Sequence, residues 1–158
     1  MKKNTVQFSI CLLFTLLLNA CDCGIWGAHD LGDKLTLLEG DKTEDRIIVY
    51  CTDKSGECCR GGISVVPSQE RHYDTNGNYA EYVLTAKSNE KFVVTKTIQL
   101  KDKKENYWVI SKGFNIMDLN CDKINCDSII QSHIIGPLDS NAFENKMKEL
   151  KIDLTLDK

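Results

Sequence analysis

Proline and glycine punctuate this chain sparsely, with two prolines, Pro67 and Pro137, and ten glycines among 158 residues. No low-complexity tract and no internal repeat is present, which excludes a solenoid. Cys-x-x-Cys is missing despite eight cysteines, and that argues against a thioredoxin-like oxidoreductase. The three histidines, His29, His72 and His133, stand outside any His-x-Glu or His-Glu-x-x-His pattern, and no glycine-rich phosphate loop accompanies them. They are read as surface or turn residues. Ser64 and Ser68 lack the Gly-x-Ser-x-Gly context of a nucleophile elbow. Acidic residues outnumber basic ones by 23 to 20, with the lysines interspersed, so no basic face for nucleic acid is formed.

Long apolar runs are also scarce, and the one present is short. Lys2 and Lys3 precede Phe8 to Leu18, a segment interrupted only by Ser9 and Thr15, and Leu18-Asn19-Ala20-Cys21 closes it. As a helix it covers roughly 16 Å, about half of a hydrocarbon core near 30 Å, and it cannot span. A buried N-terminal helix is the competing reading, but the charge order, the length and the small Ala20 before Cys21 fit a cleavable signal better. The four closing residues resemble the lipobox of bacterial lipoproteins, although Asn19 is unusual at its position. That resemblance implies cleavage after residue 20 and diacylglycerol on the Cys21 sulfur. It places the chain at the bacterial cell membrane or outer membrane, facing the periplasm or the exterior. Membrane lipid, held through acylated Cys21, is its first expected partner.

Cysteine arithmetic agrees with that compartment. Cleavage removes Cys11 and lipidation consumes Cys21, leaving Cys23, Cys51, Cys58, Cys59, Cys121 and Cys126. An even count outside the cytoplasm is what a disulfide framework requires. Cys121 and Cys126 enclose a four-residue loop and form the first expected pair. Thr52-Asp53-Lys54-Ser55-Gly56-Glu57 reads as a turn, so either Cys58 or Cys59 is expected to bridge back to Cys51. Adjacent residues of a strand point to opposite faces, so the other of the two would reach Cys23. A zinc site is the alternative, but only Cys121 and Cys126 have the close spacing that tetrathiolate sites use twice. No metal and no cofactor is expected. Glu44 with Asp45, and Asp118 with Asp122 and Asp127, lack the twelve-residue calcium loop and read as solvated turn residues.

Three segments follow from this: residues 1–20 as a cleaved signal, 21–33 as lipidated cysteine and tether, and 34–158 as a single globular α+β domain. Removing Lys2 and Lys3 leaves 18 basic residues against 23 acidic, a net charge of −5 over residues 21–158. Leu35–Leu38, Arg46–Cys51 and Ile63–Val66 read as strands, the last ending at Pro67. Residues 68–78 are polar, and Thr75-Asn76-Gly77-Asn78 is a turn. Tyr79–Ala86, Lys91–Leu100 and Asn106–Ser111 form an antiparallel meander, with Tyr82 and Leu84, Phe92 and Val94, and Trp108 and Ile110 expected to face inward. Tyr73, Tyr79, Tyr82 and Trp108 read as core or sheet-surface aromatics, a ligand groove being the alternative. Within residues 114–135, strand and short helix both stay open. Gly136-Pro137-Leu138-Asp139 reads as a turn into a helix over Ser140–Leu150, capped by Asp139 or Ser140. Its stripe is Phe143, Met147 and Leu150, and Glu144 to Lys148 is an i, i+4 ion pair. Ile152, Leu154 and Leu156 alternate as a final strand. The fold class is α+β, mainly an antiparallel β-sheet meander with one C-terminal α-helix packed on it.

The order Tyr107-Trp108-Val109-Ile110, Ile135-Gly136-Pro137-Leu138-Asp139, Phe143 and Lys146 to Leu150 with Ile152 resembles small bacterial lipoproteins grouped as domain of unknown function 3997. It covers about the last third of the mature chain; the resemblance supports the fold and the anchor, and since the family has no assigned activity it transfers no catalytic residue. The functional expectation is a lipid-anchored envelope protein that is not an enzyme, a binding or interaction domain with an envelope protein as a further candidate partner. An immunity or inhibitor lipoprotein against a toxin or hydrolase is the alternative, with a small hydrolase behind it.

Overall fold

β-Branched and aromatic runs fit a pleated surface, and here they build two sheets. The computed structural model describes residues 27–52, 58 and 62–156. The first sheet contains β1 (Ala28–Gly32), β2 (Leu35–Leu38), β3 (Ile47–Tyr50) and β4 (Ile63–Val66), in that spatial order. The second contains β5 (Glu81–Ser88), β6 (Phe92–Gln99), β7 (Glu105–Ser111) and β8 (Ile134–Leu138), again in chain order. Every pairing is antiparallel, so each sheet is a meander. Short helices α1 (Gln69–His72) and α2 (Cys126–Ser132) fill connections, and α3 (Ser140–Leu150) follows β8. The α+β expectation, mainly antiparallel sheet with a C-terminal helix packed on it, is the observed architecture.

The main core lies between the sheets. Leu35 sits opposite Tyr50 and Leu37 opposite Ile48 in register, and these four meet Val83, Val93, Trp108 and Ile110 of the second sheet. Phe114, Ile116 and Ile130, from the segment between β7 and β8, complete the same cluster. Arg46 ties the sheets together at one edge: its carbonyl accepts from Val83 N at 2.8 Å, and its Nη1 donates to Leu84 O at 2.8 Å.

The second sheet is buried on both faces, and that changes which residues pair. Trp108 and Ile110 look toward the first sheet, as expected of an inward pair, whereas Phe92 and Val94 belong to a second cluster under α3. In β5 the expected inward pair Tyr82 and Leu84 is half-exposed, and Glu81 and Val83 are the buried residues. Alternation alone carries no information on which face of a strand lies inward when aromatic and aliphatic residues occupy both.

Three other expectations are corrected. The expected tether over residues 21–33 already contains β1, whose edge position needs pairing on one side only. Gly136-Pro137-Leu138 is the end of β8 and not a turn; β8 pairs only with β7, so proline's missing N–H leaves no ladder partner unmet. Gly136 has φ +150, and a Cβ there would lie 2.5 Å from Trp108 Cε3 and 2.9 Å from Tyr107 O. Only glycine lets β8 cross the Trp108 ring this closely. Ile152, Leu154 and Leu156 form no strand; they pack onto the cluster under α3. The open stretch 114–135 contains α2 and the start of β8, so helix and strand both occur in it.

Candidate functional site

The outer face of the second sheet presents Val94, Lys96, Tyr107 and Val109, because Val94 pairs with Val109 and Lys96 with Tyr107 in the β6–β7 register. Asp139 caps α3, its Oδ1 accepting the Ala142 amide at 2.8 Å, and the helix turns Phe143 and Met147 onto that face. The Phe143 and Tyr107 rings stack at 5.0 Å. Lys151 adopts a left-handed conformation with φ +53, the chain reverses, and Ile152 N donates to Met147 O at 2.9 Å. Residues 152–156 then run beside the helix. Between helix, tail and sheet lies a groove of about 470 Å³, walled by Phe143, Met147, Ile152, Leu154 and Leu156.

Lys96 lines this groove with its side chain 8% exposed. Its Nζ donates to Glu105 Oε1 at 3.2 Å and lies 6.0 Å from the centre of the Tyr107 ring. Tyr107 in turn donates its O–H to Glu105 Oε2 at 2.7 Å. Burial, and then this bond to the carboxylate, pushes the Tyr107 hydroxyl up to about 12. The same bond, followed by Lys96, holds Glu105 below the usual carboxylate range. The groove therefore combines an apolar wall with a buried lysine head group, an arrangement suited to holding an amphipathic molecule. It places no serine or cysteine beside a histidine.

A second polar cluster sits in the interior between the sheets, and its geometry is structural. Glu81, 1% exposed, accepts from Thr97 Oγ1 and from Asn106 Nδ2 at 3.1 Å on Oε1. Arg71 Nη2 lies 2.6 Å from Oε2, without the alignment of a hydrogen bond, and the guanidinium carbon sits 5.1 Å from the Trp108 ring centre. Trp108 Nε1 donates to Thr97 Oγ1 at 2.9 Å. The carboxylate is enclosed by donors and a cation.

The residues singled out from sequence go to separate places. Cys51 bridges Cys58, with Cα atoms 5.0 Å apart, and Cys121 bridges Cys126 at 5.4 Å. Cys21, Cys23 and Cys59 lie outside the described residues, as do the signal and lipidation assignments. His29 Nε2 is 3.4 Å from Glu39 Oε1 at the surface. His72 is buried, correcting its surface reading, because its Nδ1 bonds Glu81 O at 2.7 Å and its ring packs edge-on to Tyr73 and Tyr79. His133 Nδ1 lies 3.0 Å from Ser111 Oγ, and that hydroxyl also donates to His133 O at 3.2 Å. This Ser–His contact went unread from sequence because 22 residues separate the two. No carboxylate is bonded to the His133 ring among the described residues, and the contact serves to satisfy the β7–β8 edge. Asp45 accepts from Tyr79 O–H and from the amides of Asp41 and Lys42, which makes it a loop organiser. Ser64 pairs opposite Val49 in β4, and Ser68 offers its carbonyl to the first turn of α1. Among the described residues, no group of three or more His, Cys, Asp or Glu is placed to hold a metal ion.

Sequence reasoning passed over Lys96 and Glu81. The signal for Glu81 was available in Glu81-Tyr82-Val83, where Val83 facing inward carries Glu81 with it. Lys96 stands in Val93-Val94-Thr95-Lys96-Thr97-Ile98, a run too apolar and β-branched for a routine surface lysine.

No family model, curated protein or solved structure matches this chain. Its function therefore rests on its own residues.

Proposed function

We propose that this chain is a lipid-anchored protein of the bacterial cell envelope whose folded domain acts by binding and not by turnover. The observation that carries the reading is Leu18-Asn19-Ala20-Cys21 at the end of a short apolar segment behind Lys2 and Lys3. Loss of Cys11 with the signal and assignment of Cys21 to lipid leave six thiols, and the bridges Cys51–Cys58 and Cys121–Cys126 suit an oxidising compartment. No helix among the described residues is long and apolar enough to cross a membrane. Each buried CH₂ contributes about 0.8 kcal/mol, and a diacylglycerol with two chains holds a protein of this size on the bilayer stably. The groove under α3 is the surface on which such a tethered domain takes its ligand, and tethering raises its local concentration near membrane-borne molecules.

Intact mass of the membrane-extracted protein tests the anchor. The expected species lacks residues 1–20, carries added acyl mass, and is lighter by six hydrogens from three bridges. A chain that retains Met1 and carries no acyl group overturns the reading. Replacing Cys21→Ser should leave the protein unacylated and its signal uncut. Crosslinking in live cells, followed by affinity capture, then identifies what the domain meets on the membrane.

A further inference from the structure

Resting on the reading of this domain as a binding domain, we infer that the groove under α3 binds an alkyl carboxylate. The chain lies against Phe143, Met147 and Ile152, and the carboxylate bonds the Lys96 ammonium. An ammonium has three N–H donors, and the described residues supply one acceptor, Glu105 Oε1 at 3.2 Å. Keeping a lysine 92% out of solvent with two donors unmet by the described residues is costly unless something else meets them. A carboxylate entering the groove does so without displacing Glu105, whose second oxygen is held by Tyr107.

The remaining lining charges cancel, Lys148 and Lys151 standing against Glu144 and Asp153, so no excess of negative charge on the lining opposes a carboxylate at Lys96. The groove's volume of about 470 Å³ falls within the roughly 300–1,000 Å³ typical of small-molecule sites. The apolar wall disfavours a small inorganic anion as ligand, since most of the contact surface would go unused. The buried cation disfavours a plain hydrocarbon, which offers it no acceptor. An aliphatic chain ending in a carboxylate uses both.

Methionine supplies a reporter and its own control. Residues 21–158 contain only Met117 and Met147; Met147 lines the groove and Met117 packs on the cluster between the sheets. The experiment follows ¹³C-methyl methionine signals of the full mature protein in lipid nanodiscs, titrated with octanoate, octanol or acetate. Octanoate is expected to shift Met147 saturably, leave Met117 in place, and bind about tenfold tighter than octanol, the ratio one charge-assisted hydrogen bond supports. Acetate should leave both signals unmoved. Lys96→Leu should abolish the octanoate preference and Lys96→Arg should keep it, with the Met117 shift reporting whether each variant folds. Equal binding of octanoate and octanol by the unmodified protein, equal shifts at both methionines, or no shift at all overturns the inference. A third methionine signal, from Met1, overturns the lipoprotein reading and leaves the groove result standing.

Discussion

Trp108 donates its indole N–H to Thr97 Oγ1 at 2.9 Å, and Thr97 passes a hydrogen bond on to the buried Glu81 carboxylate. This chain of donors crosses β5, β6 and β7, so it sets their register from inside the core. Replacing Glu81→Ala leaves the Asn106 amide and the Thr97 hydroxyl without their acceptor and Arg71 without its counter-ion. Breaking a buried pair costs about 3–5 kcal/mol; because Arg71 is 32% exposed and can be hydrated, the expected loss is nearer about 3 kcal/mol. Urea unfolding of wild type and variant checks it. A midpoint change worth less than about 1 kcal/mol would show that the network is dispensable.

Gly136 should tolerate no side chain. An added Cβ would lie 2.5 Å from Trp108 Cε3 on a residue with φ +150, so either β8 or the indole must move. Gly136→Ala is expected to destabilise by about 2–3 kcal/mol, from overpacking and the unfavourable backbone together. Thermal unfolding followed by near-ultraviolet circular dichroism, in a Trp26→Phe background that leaves Trp108 as the reporter, measures both the loss and the displaced ring.

The two bridges should differ in what their removal exposes. Each closes a short loop, and chain entropy puts the contribution of such a loop near 2 kcal/mol. Cys51 and Cys58 are buried with Val49 in a cluster on the outer face of the first sheet, and Thr36 Oγ1 contacts Cys51 Sγ at 3.2 Å. Cys121 is exposed. The pair Cys51→Ala with Cys58→Ala is therefore expected to cost more than Cys121→Ala with Cys126→Ala, by about 1 kcal/mol of lost packing. Denaturant midpoints of the two double variants decide the order.

Alkaline pH should weaken the protein through two tyrosines. The bond to Asp45 pushes the Tyr79 hydroxyl up to about 12, and burial does the same for Tyr107. Both hold their protons longer when folded than in the unfolded chain, where tyrosine ionises near 10. Their contribution is complete below about pH 10 and is lost as pH rises from about 10 to 12. Asp45 works in the opposite direction: held below its usual range by Tyr79, it contributes above about pH 4 and loses that contribution as pH falls through its folded value. Tyr79→Phe should flatten part of the alkaline slope and raise the Asp45 value. Stability curves against pH for the variant, with tyrosinate absorbance, measure the first effect; carboxyl titration by NMR measures the second.

Much of the fold was legible where one physical preference acted alone. Ile47–Tyr50 and Ile63–Val66 are strands because β-branched side chains lose least on a pleat, and Ser140–Leu150 is a helix because its stripe and its Asp139 cap agree. Legibility failed where tertiary placement overrode local chemistry. Gly136-Pro137 carries a turn signal, yet it completes an edge strand because Trp108 leaves room only for a glycine. Tyr82 and Leu84 look like core, yet Arg46 docks along β5 and Glu81 and Val83 go inward.

The candidate groove was the least legible part. Lys96, Tyr107 and Met147 lie far apart in the chain, and what unites them is the β6–β7 register together with the seat of α3. The sequence by itself determined the strands β2 to β7, the C-terminal helix, the pairing of Cys121 with Cys126, and the lipobox-like run that motivates an anchor, because each depends on residues near one another. Only the tertiary structure decided that the second sheet is covered on both faces, that Cys58 is the partner of Cys51, and that a lysine is buried in an apolar groove. Those are contacts between distant segments, selected by which faces must leave water together.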